Sequence, residues 1–195
     1  MNRIQIINAI IAKTGATSYL EVGVQAGDCF NAINCDYKVG VDPDRSSAAT
    51  HYMTSDEFFK QNKQKFDVCF CDGLHHADQA EKDVLNMLKV LNEGGTIVMH
   101  DNLPTNKHMQ EIPLTDQVEW TGNVWRAWVK LRATRDDLQM HCINTDWGTS
   151  VIRKGSQTPI ILHKPIEEVT YEDYEKFKQY WMNIISVEEF KQLYL

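Results

Sequence analysis

The chain has no apolar run approaching the ~20 residues that a membrane-spanning helix needs, no CxxC pair and no surplus of basic residues. The first absence argues against a membrane partner. The cysteines, at positions 29, 35, 69, 71 and 142, are odd in number and lack a secretory context, so a disulfide framework is not expected and the thiols should be reduced and mostly buried. A formal charge of -7, with Lys and Arg scattered rather than striped, provides no basic field for a phosphate backbone, and nucleic acid is not an expected partner. The start, "MNRIQIINAIIAKTGATSYLEVG", carries one early Arg and helix-like apolar spacing instead of a continuous apolar segment with a cleavage site, so a cytoplasmic location is expected. There is no internal repeat and no low-complexity segment.

What remains is a globular composition, 43% hydrophobic and 24% charged over 195 residues, enough for one domain and too short for two ordinary ones. Residues 1–16 read as an N-terminal helix, with Ile4, Ile7 and Ile11 on one face and Gly15 as its stop. Residues 17–155 read as the core. "SYLEVGV" is a first strand, followed by a helix starting near Gly27 and Asp28. "YKVGVDPD" is a second, "THYMTS" a third, and "SDEFFKQNKQK" a helix capped by Ser55 or Asp56. "KFDVCFCDG" is a fourth strand, and the helix after it presents Ala80, Val84, Leu88 and Leu91 before Gly94 and Gly95 end it. "TIVMHDN" is a fifth strand. Residues 156–195 form a helical, amphipathic tail whose "WMNII" stretch suits either packing or homodimerisation.

Strands alternating with helices, and strands too apolar to alternate in polarity, predict an α/β fold: a doubly wound, largely parallel sheet with helices on both faces. Ligands of such sheets bind at the carboxyl ends of the strands. Each strand ends in polar residues there: Glu21 and Gly23, Asp42, Ser55 and Asp56, Asp72, then Asp101 and Asn102. One such residue could be a helix cap; a set of this size points to a binding site. The turn "EVGVQAG" supplies small residues for close backbone approach, but Gln25 breaks G-x-G-x-x-G, which disfavours a pyrophosphate. Asp42 is placed to accept from both hydroxyls of a ribose, a role common to NAD and S-adenosylmethionine.

"YLEVGVQAG", "VGVDPD", "TSDEFF", "FDVCFCDGLHHADQAEKD" and "LNEGGTIVMHDN" resemble, in order and spacing, the motifs of class I S-adenosylmethionine-dependent methyltransferases. The resemblance covers about residues 18–102. It implies a Rossmann-like sheet of seven strands in the order 3-2-1-4-5-7-6 with the last strand antiparallel. It also implies cofactor contacts from Glu21, Gly23, Gly27, Asp42, Ser55, Asp56 and Asp72. "CDG" and "HDN" look like the metal positions of catechol and caffeoyl-coenzyme A type O-methyltransferases, which implies Mg²⁺ or another divalent cation on Asp72, Asp101 and Asn102. The Asp72-x-x-His75 spacing also resembles the macrocin and mycinamicin type sugar O-methyltransferases, where the matching histidine is a general base. By that second likeness the third ligand is Asn102 or His100.

The expected function is therefore a metal-dependent O-methyltransferase acting on a hydroxyl of a small molecule or saccharide, with His75 as base and Asp72 beside it. The acceptor would be held by the 103–125 loop, with Trp120, Trp125 and Trp128 as either an aromatic wall or core, and His76 as a turn residue. Two rivals stand beside it. An NAD(P)-dependent oxidoreductase would need neither the carboxylates of strands four and five nor a glutamine in the glycine turn. A non-catalytic cofactor-binding protein would have no use for the Asp72, His75, Asp101 and Asn102 set.

Overall fold

A computed structural model describes all of residues 1–195. The N-terminal helix α1 (Arg3–Thr14) begins at Asn2, whose side chain accepts from the Gln5 amide while Gln5 reaches back, and ends where Gly15 turns left-handed at φ 68°. This is the reciprocal cap and glycine stop expected of a stable short helix. Its buried face is Ile6, Ile7, Ile10 and Ile11. β1 (Ser18–Val22), α2 (Asp28–Ala32), β2 (Tyr37–Val41), α3 (Ser55–Gln61), β3 (Phe66–Cys71), α4 (Ala77–Val90) and β4 (Leu91–Met99) follow in the predicted rhythm. α5 (Trp125–Thr134), the hairpin β5 (Leu138–Ile143) and β6 (Thr149–Lys154), α6 (Tyr171–Met182), β7 (Ile184–Ile185) and α7 (Val187–Tyr194) complete the chain.

All seven strands form one sheet in the order β2-β1-β3-β4-β6-β5-β7. β2, β1, β3 and β4 pair in parallel, and β6 runs antiparallel to both β4 and β5. This is the expected doubly wound α/β sheet with its single reversed strand. Three elements differ from expectation. α4 stops at Val90, short of Gly94 and Gly95, and Leu91 leaves the helix to pair with Phe66, so both glycines lie within β4. "THYMTS" is not a strand: it makes one isolated bridge, Val41 to His51, in which the His51 amide donates to the Gly40 carbonyl and the Asp42 amide to the His51 carbonyl. Its Thr54 caps α3, accepting from the Glu57 amide, so neither Ser55 nor Asp56 is the cap. The seventh strand comes instead from the tail, where Asn183 turns left-handed, stops α6, and lays Ile184 and Ile185 along β5.

Side chains of the central strands alternate between two cores. In β3, Phe66, Cys69 and Cys71 face a larger core built with α4, α5 and α6, while Val68 and Phe70 face a smaller one with α1, α2 and α7. Trp125, Trp128 and Trp181 are fully buried in the first, so Trp125 and Trp128 are packing residues; burial of each such aromatic stabilises by several kcal/mol, roughly the ~3–5 lost on truncation to alanine. The tail is also used internally: Trp181 and Met182 join the larger core, Phe190 and Tyr194 the smaller. All five cysteines are free; those at positions 29, 69, 71 and 142 are buried, and Cys35 is partly so. No helix is long and apolar enough to cross a membrane.

Candidate active site

The ends of β1, β2 and β3 and the starts of α3 and α4 enclose a cleft of about 420 Å³, within the ~300–1,000 Å³ usual for small-molecule sites. Gly23 lets its floor form. It sits at φ 89°, and a Cβ there would stand 1.9 Å from the Asp72 carbonyl oxygen, so only glycine allows the ends of β1 and β3 to approach this closely. Asp42 braces the same turn: its Oδ2 accepts from the amides of Val24 (3.0 Å) and Gln25 (2.9 Å), and its Oδ1 from that of Asp44 (2.8 Å). With two lone-pair sites on each oxygen, Oδ1 keeps one acceptor position for a ligand hydroxyl. At the far end the Gln79 amide nitrogen, on α4, shares its two N–H groups among Ser55 Oγ (3.1 Å), Asp56 Oδ1 (3.3 Å) and Asp83 Oδ1 (3.0 Å).

Asp83 also lines this end and is 1% exposed. Burial pushes its carboxyl up to about 6, against the hydrogen bonds from Ser55 and Gln79. Neither Gln79 nor Asp83 was expected from sequence. Their i, i+4 spacing on one face of α4 was a usable signal, since that face also had to meet the strand ends.

Beside the cleft lies a second pocket, of about 210 Å³, which shares Asp72 and Gln25 with it. Asp72, His75 and Asp101 converge there, with donor atoms all within 4.8 Å of one another. His75 Nδ1 faces the Trp120 carbonyl at 3.1 Å. A carbonyl can only accept, so Nδ1 carries the proton and Nε2 is presented to Asp101 Oδ2 (3.4 Å) and Asp72 Oδ1 (3.6 Å). Burial alone would lower the His75 pKa, but the hydrogen bond to Asp72 and the charge of Asp101 leave it raised. The ring is stacked on Trp120 at 4.9 Å between centroids. Gly122 presses against its backbone: a Cβ at Gly122 would lie 1.9 Å from the His75 carbonyl oxygen.

His100 forms the other wall. Its Nδ1 lies 3.2 Å from Asp101 Oδ1 and 3.5 Å from Asp72 Oδ1, and its Nε2 3.6 Å from Asp146 Oδ2. Arg3, from α1, closes the network, its Nη1 donating to both Asp146 oxygens at 3.2 Å. Burial opposes each charge here, yet the three carboxylates raise His100 well above its ordinary value, and His100 in turn holds Asp72 far down. Asp146 is brought to about 2 by His100 and Arg3 despite its burial. Four of the five non-glycine residues with positive φ, Gln25, Asp101, Asp146 and Trp147, belong to this pocket or its rim, a clustering of backbone strain found at functional sites.

Of the residues expected from sequence, Gly23, Asp42, Ser55, Asp56 and Asp72 line the cleft, and His75 and Asp101 meet Asp72 in the pocket. Glu21 and Gly27 lie outside the cleft lining. Glu21 is buried under the turn with the Tyr19 hydroxyl donating to it, and Gly27 is the N-cap of α2, packed on Ala48. Asn102 is fully buried, its amide nitrogen donating to Ser150 Oγ (3.1 Å) and the His100 carbonyl (3.3 Å), while its Oδ1 accepts no hydrogen bond. His100 is therefore the residue that reaches Asp72 and Asp101. His76 is the N-cap of α4 and lines a separate hollow. Arg3, Asp146 and Trp147 were missed, because nothing in sequence brings residues about 140 positions apart to one point.

Residues 44–102 match the family model described as a methyltransferase domain. No curated protein matches the sequence. Among solved structures, the O-methyltransferase TomG of Streptomyces achromogenes, in complex with SAM, superposes with a TM-score of 0.62 at 16% identity, covering 79% of this chain and 80% of that one. A putative caffeoyl-CoA O-methyltransferase from Staphylococcus aureus gives 0.59 at 15% identity, over 78% and 82%. The O-methyltransferase from Bacillus cereus, in complex with SAH, gives 0.57 at 13%, over 78% and 80%. At these identities the structural likeness is one of fold. The fold is shared with these enzymes, and the match to a methyltransferase domain falls on residues 44–102.

Proposed function

We propose that this chain is an S-adenosylmethionine-dependent O-methyltransferase that acts, with a divalent cation such as Mg²⁺, on a hydroxyl of a small molecule or saccharide. The observation that carries this reading is the shared wall. Asp72 and Gln25 line both the cleft sized for the cofactor and the pocket where two carboxylates and an imidazole nitrogen converge. The methyl donor and a polarised hydroxyl would meet there. That is what an in-line transfer needs, since its barrier falls mainly through orientation of the two reactants.

The donor set fits a cation. Two carboxylates face each other with only imidazoles and Arg3 for counter-charge, and the oxygens of Asp72 and Asp101 are ligands of the kind a hard divalent ion takes. When bound, the ion would lower the pKa of a coordinated hydroxyl, and S-adenosylmethionine would supply an activated methyl group. The chain's own residues do the rest. Asp42 and the Gly23 turn orient a nucleoside, Trp120 holds the His75 ring, and Gly122 lets the chain pack against the His75 backbone. With its Nδ1 proton committed to a carbonyl, His75 offers Nε2 as the atom that accepts the hydroxyl proton, once the charge of the two carboxylates is shared with a cation.

S-adenosylhomocysteine, and not NAD, should bind by calorimetry. Mn²⁺, a paramagnetic stand-in for Mg²⁺, should bind wild type and be lost in Asp101→Ala with the S-adenosylhomocysteine affinity kept. Tight NAD binding without S-adenosylhomocysteine binding would restore the oxidoreductase reading; equal Mn²⁺ binding by Asp101→Ala would remove the cation site.

A further inference from the structure

Behind the pocket, a groove of about 620 Å³ runs between the β5–β6 turn, the start of the 103–125 loop and α6. Trp147 is the partition: it lines both the pocket and the groove, its ring set edge-on to His100 at 6.3 Å between centroids. It is held there at some cost. Asp146, Trp147 and Gly148 are successive residues at positive φ, 49°, 51° and 88°, a left-handed conformation that is strained for a residue with a Cβ. The Trp147 carbonyl accepts from the Leu103 amide (2.8 Å), and a Cβ at Gly148 would stand 2.5 Å from that same nitrogen. The turn is thereby locked onto the residues just after Asp101 and Asn102. Despite this anchoring, the indole is 37% exposed, whereas Trp125, Trp128 and Trp181 are fully buried.

We propose that the groove is a second acceptor subsite, for a neutral, hydroxyl-bearing ring such as a pyranose, so that the acceptor is at least two rings long and lies across Trp147. This rests on the methyltransferase reading for the role of the first subsite. Three observations carry it. The pocket, at about 210 Å³, falls below the ~300–1,000 Å³ of ordinary small-molecule sites and takes only the reacting ring, whereas the groove alone lies within that range. The groove's lining is of the kind that reads hydroxyls: Asn144 offers its amide, Gln179 keeps its carbonyl and one N–H beyond its bond to the Ile184 carbonyl, and Thr105 and Thr145, whose hydroxyls donate to Met109 Sδ and the Met1 carbonyl, keep acceptor positions beside an indole, whose electron-rich face suits the positively polarised C–H edge of a sugar ring. Its two charged side chains are already paired, Asp146 with Arg3 and Lys178 with Glu175. One partly exposed lysine, partnered by a glutamate and facing an aspartate in the same groove, is too little positive charge for the phosphates of a nucleotide or coenzyme A, and a neutral ligand suits the lining better.

The test uses the full-length chain with and without S-adenosylhomocysteine. The probes are the methyl glycosides of glucose, galactose, mannose and rhamnose, the methyl glycosides of cellobiose, maltose and lactose, and adenosine 3′,5′-bisphosphate as the charged control. Tryptophan fluorescence and saturation-transfer NMR report binding. At least one disaccharide should bind about tenfold or more tighter than every monosaccharide and should quench wild type but not Trp147→Phe in proportion. Gln179→Trp, which fills the groove from α6 without touching the pocket, should abolish the disaccharide preference while leaving Tm and S-adenosylhomocysteine affinity unchanged. No disaccharide binding, equal affinity for one and two rings, retention of the preference in Gln179→Trp, or tighter binding of the bisphosphate would each overturn the proposal. Failure to bind S-adenosylhomocysteine alone would strike the methyltransferase reading and not the groove, whose titration does not need the cofactor.

Discussion

Replacing Glu21 with glutamine should make this protein more stable at alkaline pH and not at acid pH. Glu21 is 1% exposed, and burial pushes its carboxyl from 4.5 to about 7, against the hydrogen bond from Tyr19 and the charge of Arg3. In the unfolded chain it titrates near its ordinary value. Between the two values the folded state binds a proton that the unfolded state does not, so stability falls as pH rises through that window. The rise corresponds to about 3 kcal/mol in full, most of which is lost between pH 5 and 8. Glutamine keeps an acceptor for the Tyr19 hydroxyl and cannot ionise. Urea unfolding of both proteins at pH 5, 6, 7 and 8 isolates the effect, because other titrating groups cancel in the difference. Relative to wild type, Glu21→Gln should gain about 2–3 kcal/mol between pH 5 and 8. A difference flat across that range would show that the carboxyl ionises normally inside the fold, and the burial argument would fail.

Gly122→Ala should weaken Mn²⁺ binding by about tenfold or more, as loss of an outer support does, with S-adenosylhomocysteine affinity unchanged. Its new Cβ would strike the His75 backbone, and Gly122 does not line the cleft; unchanged Mn²⁺ affinity would detach His75 from the site. Trp128→Ala should lower stability by about 3–5 kcal/mol in urea, since the ring is fully buried and its nitrogen donates to the Met182 carbonyl at 3.1 Å. A loss below about 1 kcal/mol would mean the core collapses around the gap.

The parallel half of the sheet was legible because its strands are continuous apolar runs ended by acids, and that pattern survives any packing detail. "THYMTS" misled for a local reason: β-branched and aromatic residues suited a strand, yet Thr54 was better used as a helix cap. In the tail, amphipathic spacing concealed the break at Asn183, whose left-handed turn (φ 50°) frees two isoleucines to join a sheet edge that sequence does not show to be open. Within the site, Asp72, His75 and Asp101 were readable because they sit at the ends of adjacent strands, where register alone brings them together. Glu21 was misplaced by the same rule: side chains alternate along a strand, and Glu21 points into the smaller core beside Tyr19 rather than into the cleft.

What the sequence by itself determined is therefore whatever local periodicity and strand order encode: an α/β sheet, its ligand-bearing edge and three of the polar residues that meet there. Only the tertiary structure decided which partners complete that edge. Arg3 comes from the first helix and Asp146 and Trp147 from the last hairpin, brought to His100 because β6 inserts beside β4. A contact across more than 140 residues leaves no trace in spacing, since it depends on how two layers of helices close over one sheet.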